Sequence, residues 1–181
     1  MKLAPLTTAV GLLCGVVAHG AAQTAALEHG SMLIGGTAGA QWFDEGHADN
    51  SIQVIVLPRL EYFVLNGLAV GGEIGLSYGK QGDVSSTGLS LGPAITYYMV
   101  QEGKLHPYVR ATATYVRSKF STSDESTSGT EWTGAAGLLL MLVDAVGLDA
   151  QLFVSRADSP IPERDDVKSA GLRLGISAFV F

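Results

Sequence analysis

The chain has 181 residues, of which 47% are hydrophobic and only 15% charged, with a formal charge of −6. That balance excludes a nucleic-acid partner, since holding phosphates takes clustered Lys and Arg and no basic stripe is present. A helical membrane protein is excluded as well, because beyond the first twenty residues no run approaches the roughly 18 apolar residues of a spanning helix. A mean hydropathy of +0.28 nevertheless leaves apolar surface to be covered, and 23 Gly among many Ser and Thr suit strands and turns better than helices.

The first segment is expected to be a secretory signal peptide over residues 1–22. Lys2 supplies the positive start, Val10 to Ala18 a short apolar core, and Ala18-His19-Gly20 or Gly20-Ala21-Ala22 the small residues before a cleavage point. Cys14 is the single cysteine and falls inside that segment, so a processed chain has neither a disulfide nor a cysteine-ligated zinc. A lipid-modified cysteine is set aside because bulky Leu13 precedes it. Export then leaves the periplasm, the outer membrane or the medium as destinations.

After a short lead over 23–30, residues 31–181 divide into about eight segments of the length a tilted transmembrane strand requires. They are read as Ser31 to Phe43, Ser51 to Val64, Leu68 to Gly79, Thr87 to Met99, Leu105 to Ser118, Glu131 to Val143, Val146 to Ala157 and Ser169 to Phe181. Their connections alternate. Long polar ones cover 44–50, 80–86, 119–130 and 158–168, and brief ones fall at 65–67, 100–104 and 144–145. Outer-membrane barrels have short turns on the periplasmic side and longer loops outside, so the pattern predicts an all-β, eight-stranded antiparallel up-and-down transmembrane barrel with both termini periplasmic.

Period-two faces support the strands. In the third, Leu68, Val70, Ile74, Leu76 and Tyr78 oppose Ala69, Gly71, Glu73, Gly75 and Ser77; in the fourth, Leu89, Leu91, Ile95, Tyr97 and Met99 oppose Gly88, Ser90, Gly92, Ala94 and Thr96. The seventh sets Val146, Leu148, Ala150, Leu152 and Val154 against Gly147, Asp149, Gln151 and Ser155, and the eighth sets Ala170, Leu172, Leu174, Ile176, Ala178 and Val180 against Ser169, Gly171, Arg173, Gly175 and Ser177. The sixth has no readable phase, since Leu138 to Val143 is apolar throughout. Pro58 lies mid-strand and predicts a bulge or break there; Pro93 is likewise internal, and Pro107 sits near a strand start. Trp42, Tyr62, Tyr78, Tyr97, Tyr115 and Trp132 fall near strand ends, where interfacial aromatic belts belong.

The same phase carries Arg59, Arg110 and Arg173 inward together with Glu61, Glu73 and Asp149. Three positive groups meet three negative ones, and burial requires that they be paired. Eight strands enclose little more than their own side chains, so a structural charge network closing the lumen is expected rather than an open pore. A narrow porin is the alternative. A lipid-modifying deacylase or acyltransferase is another, yet such an enzyme needs a histidine base beside a nucleophile at the outer leaflet. His29 precedes the barrel, His106 lies at the periplasmic end of strand five, and only His47, in a loop, could meet a serine such as Ser159. Asp158, Glu163, Asp165 and Asp166 match no calcium-loop spacing. No cofactor or metal is expected, and the chain is read as a non-enzyme.

These segments resemble the outer-membrane β-barrel domain family, the small porin-like group related to the outer membrane protein A barrel. The resemblance spans Ser31 to Phe181 and rests on Gly30-Ser31-Met32-Leu33-Ile34-Gly35-Gly36, Pro58-Arg59-Leu60-Glu61-Tyr62-Phe63-Val64 leading to Leu68-Ala69-Val70-Gly71, Leu91-Gly92-Pro93, Leu105-His106-Pro107-Tyr108-Val109, and a last strand ending in Phe181. It implies a Gram-negative outer-membrane address, insertion by the barrel assembly machinery with periplasmic chaperones, outer-membrane lipids as surroundings, and an extracellular ligand, if any, met through loops 44–50, 80–86, 119–130 and 158–168. It also implies a C-terminal insertion signal at Phe179 and Phe181. The family pattern points its terminal Phe outward, whereas both residues here are in phase with Arg173, which a one-residue bulge near Ala178 would reconcile.

Overall fold

The computed structural model describes residues 25–43, 51–81, 84–100, 103–121, 126–157 and 167–181; the expected signal peptide and the loops 44–50 and 158–166 lie outside them. Among the described residues a 3-10 turn, Ala25–Leu27, precedes eight strands: β1 Met32–Phe43, β2 Ser51–Leu65, β3 Leu68–Gln81, β4 Val84–Tyr98, β5 Leu105–Phe120, β6 Ser126–Val143, β7 Val146–Ala157 and β8 Val167–Val180. Each pairs antiparallel with the next, and β8 closes on β1 from Met32↔Val180 to Ala38↔Leu174. Closure pairs the first strand with the last along the terminal part of their seam, as strands that stand in hydrocarbon require.

Alternation decides which side chains the lumen receives. Ile34, Leu76, Leu91, Leu152, Leu174 and Ile176 are each more than half exposed on the outer wall, while Thr37, Arg59, Glu61, Glu73, Thr96, Arg110, Asp149 and Arg173 are buried within. A wall apolar outside and polar inside is the inverse of a soluble domain. The start of β1, the end of β8 and the connections β2–β3, β4–β5 and β6–β7 lie at one end, called here the terminal end; the opposite ends of the strands form the distal end. The two-residue turn Asn66-Gly67 has Gly67 at φ +77, a left-handed conformation that glycine adopts without strain.

Four expectations about strand detail change. Pro58 produces no bulge: β2 pairs with β1 continuously through Gly36↔Pro58, and its ladder to β3 lapses at Leu57 and Pro58 but resumes at Arg59↔Glu73 in the register it had at Val56↔Leu76. The missing N–H weakens one ladder without displacing it, and the register shift falls instead between Phe63 and Leu65. Pro93 behaves alike, leaving a gap between Leu91↔Tyr115 and Ala94↔Thr112 only on the β5 side. No bulge occurs near Ala178 either, since Ile34↔Ala178 and Val146↔Ala178 sit in unbroken ladders.

The third and fifth connections are shorter than expected, because Lys80 and Gln81 belong to β3, Val84 to Ser86 to β4, Lys119 and Phe120 to β5, and Ser126 to Thr130 to β6. The ladder runs on through Lys119↔Ser126 and Lys80↔Ser85. Polarity marks where a strand leaves the apolar layer, not where its hydrogen bonding stops. Strand six acquires a phase: Thr133, Gly137, Leu139 and Met141 turn inward, and Trp132, Leu140 and Leu142 outward.

Candidate functional site

The lumen holds three layers. The first closes the terminal end with apolar groups: Ala26 and Leu27 of the 3-10 turn enter beside Leu33, Phe63, Ala69, Tyr98, Tyr108, Leu139, Met141 and Phe179, all buried. Backbone bonds hold this plug. Gly67 N donates to Leu27 O at 2.8 Å, Gly30 N to Phe63 O at 3.0 Å, and Phe63 N to Ser31 O at 2.9 Å. Ring centroids of Phe63 and Tyr98 are 5.5 Å apart, those of Tyr98 and Tyr108 5.2 Å, and those of Phe63 and Phe179 6.4 Å, within the range of favourable aromatic pairs. Tyr108 finds room because residue 137 is glycine, whose added Cβ would stand 2.6 Å from Tyr108 Cε1.

Sequence periodicity reaches this layer only in part: Leu27 lies before the first strand and has no face to alternate on, Phe179 packs inward as its phase with Arg173 implies, and Phe181, in the same phase but past the end of β8, is 65% exposed.

Above the plug lies the charge layer, to which all six expected residues contribute, each at most 7% exposed. They assort into two clusters. In one, Arg110 bonds Glu61 and Thr96, donating from Nη1 to Thr96 Oγ1 at 3.2 Å, and from Nη2 to Glu73 Oε2 at 2.9 Å. Thr96 Oγ1 donates to Glu61 Oε1 at 2.9 Å and Tyr98 Oη to Glu61 Oε2 at 3.2 Å, so both oxygens of Glu61 are satisfied. In the other, Arg59 bonds Asp149 and donates to Ser177 Oγ at 3.0 Å. Tyr108 Oη donates to Asp149 and lies 3.3 Å from Gln151 Oε1, and Gln151 Nε2 donates to Thr37 Oγ1 at 3.3 Å. Contact between the Tyr98 and Tyr108 rings joins the clusters.

The pairing is not one to one. Arg110 takes two carboxylates and Arg59 one, while the Arg173 guanidinium carbon sits 3.6 Å from the centroid of the Phe153 ring. A guanidinium stacks on an aromatic face where an ammonium would not lie flat, so an arginine can be buried there without a carboxylate in contact. Each carboxylate of the two clusters is thereby paired with a guanidinium, as burial of charge demands, while Arg59 Nε and Arg173 Nε are buried without a hydrogen-bond partner.

The third layer, toward the distal end, is hydroxyl-rich. Ser77, Ser90, Ser118, Ser155, Glu131 and Arg173 help line a cavity of about 290 Å³, and Ser155 and Ser169 share a hydrogen bond of 2.6 Å. Glu131 is a further carboxylate of the lumen, unrecognised in the sequence because the phase of strand six could not be read. Among the described residues no group of three metal-ligating side chains is found. His29 is exposed at the terminal end, its N–H bonded to Asn66 Oδ1, and His106 is fully buried at that same end; His47 and Ser159 lie outside the described residues.

A closed strand cylinder with an apolar outer wall and a filled, ion-paired lumen defines a transmembrane β-barrel. Aromatic side chains stand outward near both rims, Tyr62 and Tyr97 at the terminal end and Tyr78, Tyr115 and Trp132 at the distal end, as interfacial belts do. Residues 10–178 match the model of the outer membrane protein beta-barrel domain, and the chain belongs to that family, whose members reside in the outer membrane of Gram-negative bacteria.

Solved structures agree on the fold. The Neisserial surface protein A is similar with a TM-score of 0.61 and 15% identity over 82% of this chain and 96% of that one. The outer membrane protein OprG from Pseudomonas aeruginosa gives 0.53 and 13% over 84% and 97%, and the N-terminal β-barrel domain of Pseudomonas aeruginosa OprF gives 0.52 and 20% over 84% and 98%. No curated protein matches the chain.

Proposed function

We propose that this protein is a non-conducting outer-membrane barrel with a structural or surface-presenting role, its termini in the periplasm and its long hairpins outside. The observation that carries the reading is the stacking of two closures in one lumen: the plug around Leu27, Phe63 and Tyr98, and above it the paired clusters of Arg110 and Arg59. Ions crossing would have to part buried charge pairs whose separated members are costly to leave alone in a low-dielectric site. Extension of β5 and β6 beyond the apolar wall supports presentation, since it lifts the hairpin tip clear of the bilayer surface.

Planar-bilayer recording with the purified barrel tests closure: the expected trace shows no steady current, and sustained open-channel steps would defeat the proposal. A non-enzymatic role is part of the same reading. It is supported by the position of His106 and His29 at the end away from the outer surface. Incubation with lipid A should yield no hydrolysis or acyl transfer; turnover abolished by His47→Ala would overturn it.

A further inference from the structure

When the ion pairs of the described lumen are drawn, two charged groups are left over. Arg110 holds Glu61 and Glu73, and Arg59 holds Asp149; Arg173 and Glu131 make no ion pair with each other or with any described residue. Arg173 is 5% exposed, with one face of its guanidinium covered by the Phe153 ring and its Nε buried without a partner. Glu131 is half-buried, and its hydrogen bond goes through the backbone, whose oxygen accepts from Thr114 Oγ1 at 3.4 Å. Both residues line the distal cavity of about 290 Å³, one from β8 and the other from β6.

Small residues keep that cavity open and polar. Ser77, Ser90 and Ser118 reach it from β3, β4 and β5, and Ser155 from β7. A Cβ added at Gly75 would stand 2.0 Å from Ser90 Oγ, and one added at Gly88 2.4 Å from Ser77 Oγ. Glycine at these two positions therefore leaves the hydroxyls the room they occupy. On the terminal side the charge layer and the plug close the lumen, so a solute held in the cavity enters and leaves by the distal side. The volume is near the lower bound, about 300 Å³, of pockets that hold small molecules, which suits a compact solute and not a lipid chain or a peptide.

We propose that the distal cavity is a binding site for a small zwitterion of the amino-acid type, its carboxylate on the Arg173 guanidinium and its ammonium on Glu131 and the serine hydroxyls. The guanidinium edge matches a carboxylate with parallel N–H bonds, and its stacking on Phe153 holds it flat for that contact. An ammonium has three donors and no acceptor, so a carboxylate among hydroxyls is the surrounding it requires. Both charges on the ligand are needed. An anion alone would meet Glu131, a cation alone would meet Arg173, and either would leave the opposite buried group without a partner, which is costly. A zwitterion engages both and leaves the net charge of the lumen unchanged. Capture in a cavity closed from below goes beyond the non-conducting role and does not depend on it, since binding and conduction are measured separately.

Equilibrium dialysis of the full chain refolded in detergent tests it, with radiolabelled L-serine and γ-aminobutyrate as probes of short and long charge separation and folding checked by heat-modifiable gel mobility. The expected result is saturable retention of one molecule of at least one probe per barrel, with a Kd below about 1 mM. The N-acetyl derivative of that probe, an anion, and its amide, a cation, should each bind about tenfold more weakly, the scale of one lost charge-assisted bond. Arg173→Gln and Glu131→Gln should each weaken the zwitterion by a similar factor. Glu131→Gln should also hold the N-acetyl derivative at least as well as the native chain does, since the opposing carboxylate is gone, an effect that loss of structure would not produce. Glu131 is half-buried with a carboxylate outside the ion pairs, so this variant folds normally and decides the matter even if Arg173→Gln does not fold. Absence of saturable retention of both probes up to about 1 mM, or retention unchanged by Glu131→Gln, would overturn the site. Derivatives bound as tightly as the parent probe would overturn its assignment to a zwitterion.

Discussion

The two halves of the lumen solve opposite problems. At the terminal end the space between strands is filled by Leu27, Phe63, Tyr98, Tyr108 and Phe179, whose stability comes from excluding water and from ring contact. Toward the distal end the same cylinder is filled by hydroxyls, glycines and ions, leaving a cavity of about 290 Å³. Between them the charge layer faces both ways: Glu61 receives the hydroxyl of Tyr98 from the plug and the guanidinium of Arg110 from above. A membrane barrel needs no apolar core to fold, since its outer wall meets hydrocarbon. The plug is therefore an investment in closure, and it is placed at one end.

Substitutions graded by layer would break that contrast if it is wrong. The largest effect is expected for Glu61→Ala, which leaves the buried Arg110 with one carboxylate and strips Thr96 and Tyr98 of an acceptor; about 3–5 kcal/mol should be lost from the unfolding free energy measured by urea titration in vesicles, with a lower midpoint. An unchanged midpoint would mean that water enters the layer freely. Leu27→Ala comes next, removing a fully buried side chain from the plug at a cost of about 2–5 kcal/mol. Because Leu27 stands outside the strands, deuterium exchange at Gly67 N–H, which bonds Leu27 O, should rise in the same variant. Ser155→Ala in the distal layer should cost no more than about 0.5–1.5 kcal/mol, since it removes one partly buried hydroxyl bond to Ser169.

The smallest change in stability is expected at Phe181, which is exposed beyond β8, so Phe181→Ala should stay within about 0.5 kcal/mol of the native chain. Phe179→Ala, its partner in the expected insertion signal, should instead behave like a plug variant and lose about 3–5 kcal/mol. Measuring both the unfolding midpoint and the amount of barrel inserted in cells separates packing from recognition. Equal stability losses for the two residues would show that the difference in their burial has no energetic consequence.

Sequence reading went furthest where the cause is local. Alternation along β3, β4, β7 and β8 follows from the two-residue repeat of an extended chain, so Leu174 outward and Arg173 inward could be read from their neighbours alone. Where alternation was absent, at Leu138 to Val143, the phase was lost, and with it Glu131 as a lumen carboxylate. The ends of β3, β5 and β6 were misplaced for a related reason: Lys119 and Ser126 look like loop residues by polarity, but they pair across a hairpin.

The eight strands, the apolar wall and the six inward charges were thus determined by the order of residues, because each depends on backbone geometry and near neighbours, whereas the alternation of short and long connections was not, since β3 and β4 are joined by two residues and β4 and β5 by six. Which charge meets which was decided only by closure of the cylinder. Arg59 finds Asp149 ninety residues away, and Arg110 finds Glu61 and Glu73 at separations of 49 and 37, while Arg173 settles on Phe153. No pattern along the chain encodes those choices, since they depend on strand tilt and on which side chains share a level of the lumen.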